Sequence, residues 1–368
     1  MKKGYYLQSE SRISPGVSKK IDMQISELSK YYEMREIEIK PIPRSLLKRV
    51  IGLFPTASIL RDYEDVLNTL DDPAFVYIRR FTADRRYILF LKKIKDKYPK
   101  CKILVEIFTY PYDKDDFAKW NAWPFYIKEK LYRGQQKKYV DRFITYTKDE
   151  NIFEVPTIKS INGIDVSAVK KVGGEFSKEH IGLIGVAYMQ RHHGYERVIS
   201  GLGQYYTDNK NPSTIVTLDL VGDGPEKEYY RELVKNYNIE EYVHFYPSTT
   251  GDDLDAIYDK NDIALSSLGL YKLGLAGTSV LKTREYMAKG MLMLLGSVLD
   301  EIDDNYKYAI SYPNDSSTIN IDRLVEFYHS IYDECPSKSE LSNIIRNFAF
   351  KNVDISVAMK PIIDYIEG

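Results

Sequence analysis

Short apolar runs alternate with helix-length amphipathic segments along this chain, and the alternation runs through twice. In the first pass Gly4-Tyr5-Tyr6-Leu7-Gln8, Phe75 to Ile78, Lys102 to Ile107 and Arg142 to Tyr146 read as strands, with a weaker alternation from Glu36 to Ile42. Pro15 suits the first position of a helix capped by Ser14, and Val17, Ile21, Leu28 and Tyr32 fall on one helical face. Arg85 to Lys97 reads as another helix. The pattern restarts near Gly173-Gly174. His180 to Ala187, Ile215 to Val221, Val243 to Tyr246 and Ile263 to Leu265 are then strand-like, and Tyr195 to Tyr205 is helical. Pro225 opens a further helix, with Glu226 and Glu228 near its start and Lys235 near its end, matching the helix dipole. Such alternation demands parallel sheets with helices on both faces. The predicted architecture is α/β, two Rossmann-like domains facing across a cleft. Residues 1–170 form the first and 171–350 the second, and the amphipathic segment within 351–368 packs back on the first as a terminal helix.

Ligands of such sheets bind beyond the carboxyl ends of the strands. The loops to watch are therefore Gln8 to Gly16, Thr109 to Asp116, Tyr188 to Gly194, Gly222 to Pro225 and Leu268 to Val280. With 368 residues, 43% of them hydrophobic, two cores are affordable. The net charge of −1 argues against a nucleic-acid partner. Cys101 and Cys335 are far apart and read as free thiols in a reducing compartment. The apolar run after Met1-Lys2-Lys3 breaks at Gln8, too early for a signal peptide. No run of about 18 apolar residues offers a membrane span. The expected location is cytoplasmic.

The sharpest chemical signal is Thr278-Ser279-Val280-Leu281-Lys282-Thr283-Arg284-Glu285-Tyr286-Met287-Ala288-Lys289-Gly290. Ser279 suits an N-cap and Gly290 a C-terminal stop. Lys282 adds a full charge where the unpaired N–H groups of the first turn, around Val280 and Leu281, already favour anions. Glu285, one turn on, would weaken anion binding but can accept hydrogen bonds from sugar hydroxyls. A nucleoside diphosphate with its ribose satisfies both halves. A capped surface helix with a solvated charge pair is the plain alternative.

Several loops together resemble a glycosyltransferase of the GT-B fold, nearest to the retaining family four in its bacterial polysaccharide-cluster branch. Pro15-Gly16-Val17-Ser18-Lys19-Lys20-Ile21 is similar to the family's glycine-bearing first loop, and Ile161-Asn162-Gly163-Ile164-Asp165 to the element before its interdomain linker. His193-Gly194-Tyr195-Glu196-Arg197-Val198-Ile199 is similar to the donor-side loop, Leu220-Val221-Gly222-Asp223-Gly224-Pro225 to the "GDGP" turn, and Leu281 to Gly290 to the nucleotide-binding helix. The five occur in the family's order and cover nearly the whole chain.

The resemblance implies transfer of a sugar from a nucleotide-diphosphate donor to a growing, lipid-linked polysaccharide. It implies retention of anomeric configuration, and no metal or other cofactor. The donor set it implies is Gly16, Arg191, His193, Gly222, Ser279, Val280, Leu281, Lys282 and Glu285. Charge grows on the departing diphosphate, so its stabilisation is the main catalytic task, and Lys282 with Arg191 or His193 would supply it. Glu106 and Asp113 are candidates for contacting the acceptor or sugar hydroxyls; a local ion pair and a turn residue are their plain readings. The pattern departs from the family at Gly277, where the first of two glutamates is usual, and in the loop before His193, where Arg191 and Arg197 stand near the place of the usual arginine. Lys282 or Lys272 can substitute in gripping the sugar.

Asp113 and Asp115 form a D-x-D, which arises easily in a chain this acidic, and His192-His193 lacks the partners of a metal site. Arg44 to Phe54 and Trp120 to Lys138 combine basic and apolar residues, a pattern suited to an anionic membrane or to a core helix with solvated lysines. Two other functions fit the same fold: a nucleotide-sugar epimerase, and a non-catalytic subunit supporting a partner transferase, the latter motivated by Gly277.

Overall fold

All strand pairings but one are parallel, as the alternation of short apolar runs and helices requires. The computed structural model describes residues 1–9, 15–40, 54, 61–113, 122–275, 281–299, 302 and 306–368. Ser14, Asp115, Gly277, Ser279, Val280 and residues 44–53 lie outside these, and so do the cap and phosphate contacts expected of them.

The chain divides into two compact units, residues 1–163 with 355–368 and residues 164–354. The first unit runs β1 (Lys3–Gln8), α1 (Pro15–Ser29), β2 (Glu33–Glu38), α2 (Tyr63–Thr69), β3 (Pro73–Arg79), α3 (Arg85–Lys97), β4 (Lys102–Ile107), α4 (Trp123–Tyr132), β5 (Arg142–Thr145), β6 (Asn151–Ile152) and β7 (Val155–Lys159). Its sheet has the order β2-β1-β3-β4-β5-β7-β6. The inner strands β1, β3 and β4 are buried along nearly their whole length, which is why they read as continuous apolar runs, whereas edge strand β2 is mostly exposed and reads as polar. Asp84 caps α3 by accepting from the Tyr87 N–H at 2.8 Å.

The second unit runs β8 (His180–Val186), α5 (Glu196–Asp208), β9 (Ile215–Val221), α6 (Lys227–Tyr237), β10 (Val243–Tyr246), α7 (Gly251–Asp259), β11 (Ile263–Leu265), α8 (Leu281–Lys289), β12 (Leu292–Leu295), β13 (Ala309–Ser311), α9 (Ile321–Glu334) and α10 (Lys338–Asn352). Its order is β10-β9-β8-β11-β12-β13. That is the doubly wound Rossmann arrangement, whose direction of winding reverses between β8 and β11. Its core is one continuous layer of buried aliphatic side chains with tyrosines such as Tyr195, Tyr230 and Tyr328. The last helix, α11 (Ile355–Glu367), belongs to the first unit. It packs on α1 and is held by bonds from Ser160 Oγ to Ala358 O, 2.8 Å, and from Lys102 Nζ to Tyr365 O, 2.6 Å.

Gly222 shows how tightly the strand ends of the second unit are joined. Its φ is +127°, and a Cβ there would lie 2.0 Å from the carbonyl oxygen of Ala187, at the end of β8. Gly16, in the first turn of α1, has no atom within 4 Å of a built Cβ. Gly222→Ala is therefore expected to destabilise the second unit by more than about 2 kcal/mol, because backbone cannot move aside as a side chain does. Gly16→Ala should stabilise by up to about 1 kcal/mol through helix propensity. Urea unfolding of the two variants beside the parent protein checks both signs.

Candidate functional site

At the reversal point of the second sheet, the loop after β8 meets the loop after β11. The residues between β8 and α5 form a tight turn, with a 3-10 helix at Arg191–His193 and Gly194 in the left-handed region at φ +66°. A Cβ on Gly194 would stand 2.5 Å from the amide of Gly269. This close approach lets two backbone hydrogen bonds form, Leu268 N to His193 O at 2.8 Å and Gly269 N to His192 O at 3.1 Å. The donor-side turn and the loop leading towards α8 are thus one piece.

Lys282 lies in the first turn of α8, partly buried. Its ammonium donates to the Tyr195 hydroxyl at 3.2 Å, and among the described residues it makes no ion pair. Burial pulls its pKa down to about 7. His193 is buried, and its Nδ1 accepts from the Gln190 N–H at 2.9 Å. That bond puts the proton of the neutral ring on Nε2, leaving Nε2–H as a donor. Burial, then the charge of Lys282 and then His192, push the His193 pKa down to about 3, so the ring is neutral at physiological pH. His192 is lowered as well, by burial and by Lys282. The charge of Lys282 thus disfavours protonation of both histidines. A cation and a neutral N–H donor, with no carboxylate in ion-pair range of Lys282 among the described residues, are the groups that an anion site would need.

Around this centre the other sequence candidates take different places. Leu281 is the first residue of α8, where amide N–H groups lack intrahelical acceptors. Glu285 is three residues beyond Lys282, on the same side of the helix and partly buried. Arg191 is exposed in the 3-10 turn. Gly222 lines a cavity of about 410 Å³ at the ends of β8, β9 and β10, together with Ala187, Tyr188, Asp223, Ser248 and Thr249. Tyr188, 66% exposed, had no sequence signal beyond its loop. A larger cavity of about 850 Å³, between Leu295, Ile310 and Phe327, contains none of the candidate residues.

Two candidates are committed elsewhere. Lys272 pairs with Glu196. Arg197 is buried and directs its guanidinium at backbone carbonyls: Nε to Ser317 O at 2.6 Å, Nη1 to Leu268 O at 2.7 Å and Nη2 to Pro313 O at 2.9 Å. It does not replace the phosphate-binding arginine of the resembling family.

In the first unit, Glu106 is fully buried at the end of β4. Lys20 reaches its Oε1 at 3.0 Å and Arg79 its Oε2 at 3.3 Å, while the Tyr146 hydroxyl and Gln24 Nε2 also donate to Oε1. Burial alone would raise the carboxyl; Lys20, Arg79 and the hydrogen bonds outweigh it and bring the pKa to about 2. The geometry is that of the strand-end ion pair, with the carboxylate oxygens occupied by protein donors and none of the side chain exposed to meet a sugar. Lys20 extends the network to Tyr146 OH and Asn162 Oδ1, both at 2.8 Å. Asp113 is held between Lys130 at 2.7 Å and Arg133 at 2.6 Å, which keep its pKa low against partial burial. Lys137 pairs with Glu154 at 2.7 Å and Lys128 is buried, so three cations of the basic segment after Trp120 are engaged by carboxylates and a fourth is withdrawn from the surface. Among the described residues no helix is long and apolar enough to cross a membrane, and no cluster of metal-ligating side chains forms.

No protein-family model matches the chain, and no curated protein matches it. Solved structures do. The chain is similar to the HepE protein of Anabaena, crystallised with UDP and glucose, with a TM-score of 0.59, 13% identity and full coverage of both chains. It is similar to a glycosyltransferase from Rickettsia africae, with a TM-score of 0.61, 11% identity and coverage of 100% of this chain and 98% of that one. A third is the lipopolysaccharide outer core galactosyltransferase WaaB, with a TM-score of 0.56, 14% identity and coverage of 100% and 99%. The fold is that of GT-B glycosyltransferases, with two parallel-sheet Rossmann-like domains.

The Glu106 network sets an acid limit. A carboxyl at about 2 in the folded chain and 4.5 ordinarily contributes stability that is fully present above pH 4.5 and is lost as pH falls through 2. Glu106→Gln should lower stability at pH 7 by about 3–5 kcal/mol, since it leaves Lys20 and Arg79 without their shared anion. It should also flatten the decline between pH 4.5 and 2. Urea unfolding across that range tests this; a parallel acid limb in the variant would contradict it.

Proposed function

We propose that the chain is a glycosyltransferase that moves a sugar from a nucleotide-diphosphate donor to a growing glycan, in the manner of the retaining family four. The observation that carries this reading is Lys282: a partly buried ammonium at a helix start, bonded to the hydroxyl of Tyr195, whose ring lies 5.8 Å from that of His193, at the sheet's reversal point. The UDP bound to HepE makes a nucleoside diphosphate the natural occupant. Its β-phosphate would lie against Lys282 and the His193 Nε2–H, and Glu285 would accept from ribose hydroxyls. As the anomeric C–O bond breaks, negative charge collects on the departing diphosphate. Lys282 and His193 are already oriented towards that charge, so little reorganisation accompanies the step. In this reading they take the part a divalent ion plays in metal-dependent transferases. The galactosyltransferase WaaB, which works on a lipopolysaccharide core, favours a lipid-linked acceptor. Peripheral contact with a membrane would rest on Trp123 and Leu131, each about half exposed on α4, more than on the paired cations. A cytoplasmic location follows from a sugar-nucleotide donor.

The test is calorimetry with UDP, GDP, CDP and dTDP on the parent protein and on Lys282→Ala and Glu285→Ala. One nucleotide should bind. Loss of a charged hydrogen bond worth about 2 kcal/mol weakens binding roughly 30-fold in Lys282→Ala, and Glu285→Ala should lose roughly tenfold, about 1.4 kcal/mol. No binding by any nucleotide would overturn the transferase reading and favour the non-catalytic subunit; conversion of a donor into its epimer without acceptor would favour the epimerase.

A pH profile adds a second check. The ammonium at about 7 is charged below that pH and neutral above it. Diphosphate binding favours the charged form, so affinity should fall as pH rises from 7 to 9, by up to about tenfold per unit. His193 stays neutral throughout and adds no slope. Proton uptake near one per site at pH 8, absent in Lys282→Ala, is the expected signature.

A further inference from the structure

Arg197 serves neither phosphate nor solvent, yet it is a full charge buried against neutral carbonyls. Its carbonyl acceptors come from two separate stretches, Leu268 in the loop after β11 and Pro313 and Ser317 in the loop after β13, and Nη2 also donates to Ser317 Oγ at 3.4 Å. Its own carbonyl accepts from the Ile319 N–H at 3.1 Å, which closes the ring. The nearest carboxylate, Asp315, is 3.8 Å away and largely exposed. Burying a guanidinium without a close counter-ion is costly. The side chain nevertheless stays because no other one presents so many N–H groups in a rigid fork.

Asn314 completes the arrangement from the second loop. Its Oδ1 accepts from the Tyr271 N–H at 3.0 Å, and its Nδ2 donates to Leu275 O at 2.7 Å. A single amide thus grips both ends of the five residues Tyr271 to Leu275, which overlap the 3-10 turn Leu270–Leu273 and contain Gly274 in the left-handed region at φ +68°. The bend shows Leu273 and Leu275 to solvent, while Leu270 anchors its start in the core. Arg197 through Leu268 O, Asn314 at Tyr271 and Leu275, and the two backbone bonds to His192 and His193 hold it, together with buried Leu270 and the Lys272–Glu196 pair.

We propose that Arg197 and Asn314 are positioning residues for donor binding: they fix residues 268–275 against the His192-His193 turn, so that the anion site exists before the donor arrives. This rests on the donor site proposed above. A site preformed in this way does not spend binding energy on ordering its loop. Remove the clamp and the loop must be ordered at each binding event, although neither residue touches the donor.

The experiment uses the full chain and whichever of the four nucleotides the parent protein binds. Arg197→Lys keeps the charge and loses the fork; Asn314→Ala removes both side-chain bonds in a partly exposed place. Dissociation constants should rise roughly tenfold for Arg197→Lys and about three- to fivefold for Asn314→Ala, with stoichiometry near one. Exchange of the Leu268 and Gly269 amides with deuterium should speed up in both. A merely structural role would lower the melting temperature and the stoichiometry while the folded fraction binds as before. If Arg197→Lys fails to fold, Asn314→Ala decides the matter. Affinity within twofold of the parent in Asn314→Ala, or unchanged exchange at Leu268 and Gly269, would overturn the proposal. Failure of the parent protein to bind any nucleotide overturns the donor site itself, and the clamp's role with it.

Discussion

Two backbone hydrogen bonds, Leu268 N to His193 O and Gly269 N to His192 O, hold the candidate site together, and the rest of the second unit is arranged so that they can form. They join loops that leave β8 and β11, neighbours in the sheet although more than 70 residues apart along the chain. Only the reversal of strand order puts those two loops side by side with no crossover helix between them. Gly194 is necessary because any side chain would occupy the space of the Gly269 amide. Arg197 then answers the carbonyl of Leu268, which the ladder leaves free. Side-chain chemistry at Lys282 and His193 depends on this backbone frame.

The chain carries buried charge in two ways, and the contrast shows where function belongs. Around Glu106 a carboxylate meets Lys20, Arg79, Tyr146 and Gln24, and its pKa falls far below the ordinary value. The group is over-satisfied and works as a rivet between α1, β3, β4 and the segment after β5. Around Lys282 the opposite holds. The ammonium donates to one hydroxyl, Tyr195 OH, and its pKa falls towards 7 because the charged form is poorly solvated. Folding energy alone would remove such a group or pair it. An anion arriving from outside would relieve it, which makes the destabilised residue the better candidate for binding.

Much of the fold was legible from periodicity. Lys102–Ile107, Ile215–Val221, Val243–Tyr246 and Ile263–Leu265 are strands at the boundaries read from the sequence, and Arg85–Lys97 is the helix expected. The hairpin β6–β7 was not read, for a definite reason: its two-residue turn is Phe153-Glu154, with φ of +49° and +64°, where Asn-Gly would be the usual signal. The helices α9 and α10 and the short strand β13 also escaped, lacking any chemical motif to draw attention. At the site, Lys282, His193 and Gly222 were legible because charge near a helix start and glycine in a turn have local causes. The role of Arg197 was not. A guanidinium that binds carbonyls 71 and 120 residues away has the same local sequence as one that binds phosphate. Asn314 likewise sits in a polar loop with no periodic or motif signal.

Identities of 11–14% over whole chains, at TM-scores of 0.56–0.61, show what is shared with solved GT-B enzymes: the path of the backbone. That path aims all the strand ends of a domain at one rim, and it allows any chemistry the rim residues can perform. The case for transfer of a sugar therefore cannot be borrowed from the fold. It depends on whether the rim supplies a fixed charge and a fixed donor where a leaving diphosphate would sit. The tautomer of His193 is the telling detail. With Nδ1 engaged by the Gln190 amide, the ring offers Nε2–H in its neutral form, and proximity to Lys282 keeps it neutral. A protonated histidine would add charge but compete with Lys282 for the same proton range. A neutral one would add a directed hydrogen bond at no electrostatic cost to its neighbour, so a single titrating cation would set the pH range over which the proposed site could hold an anion.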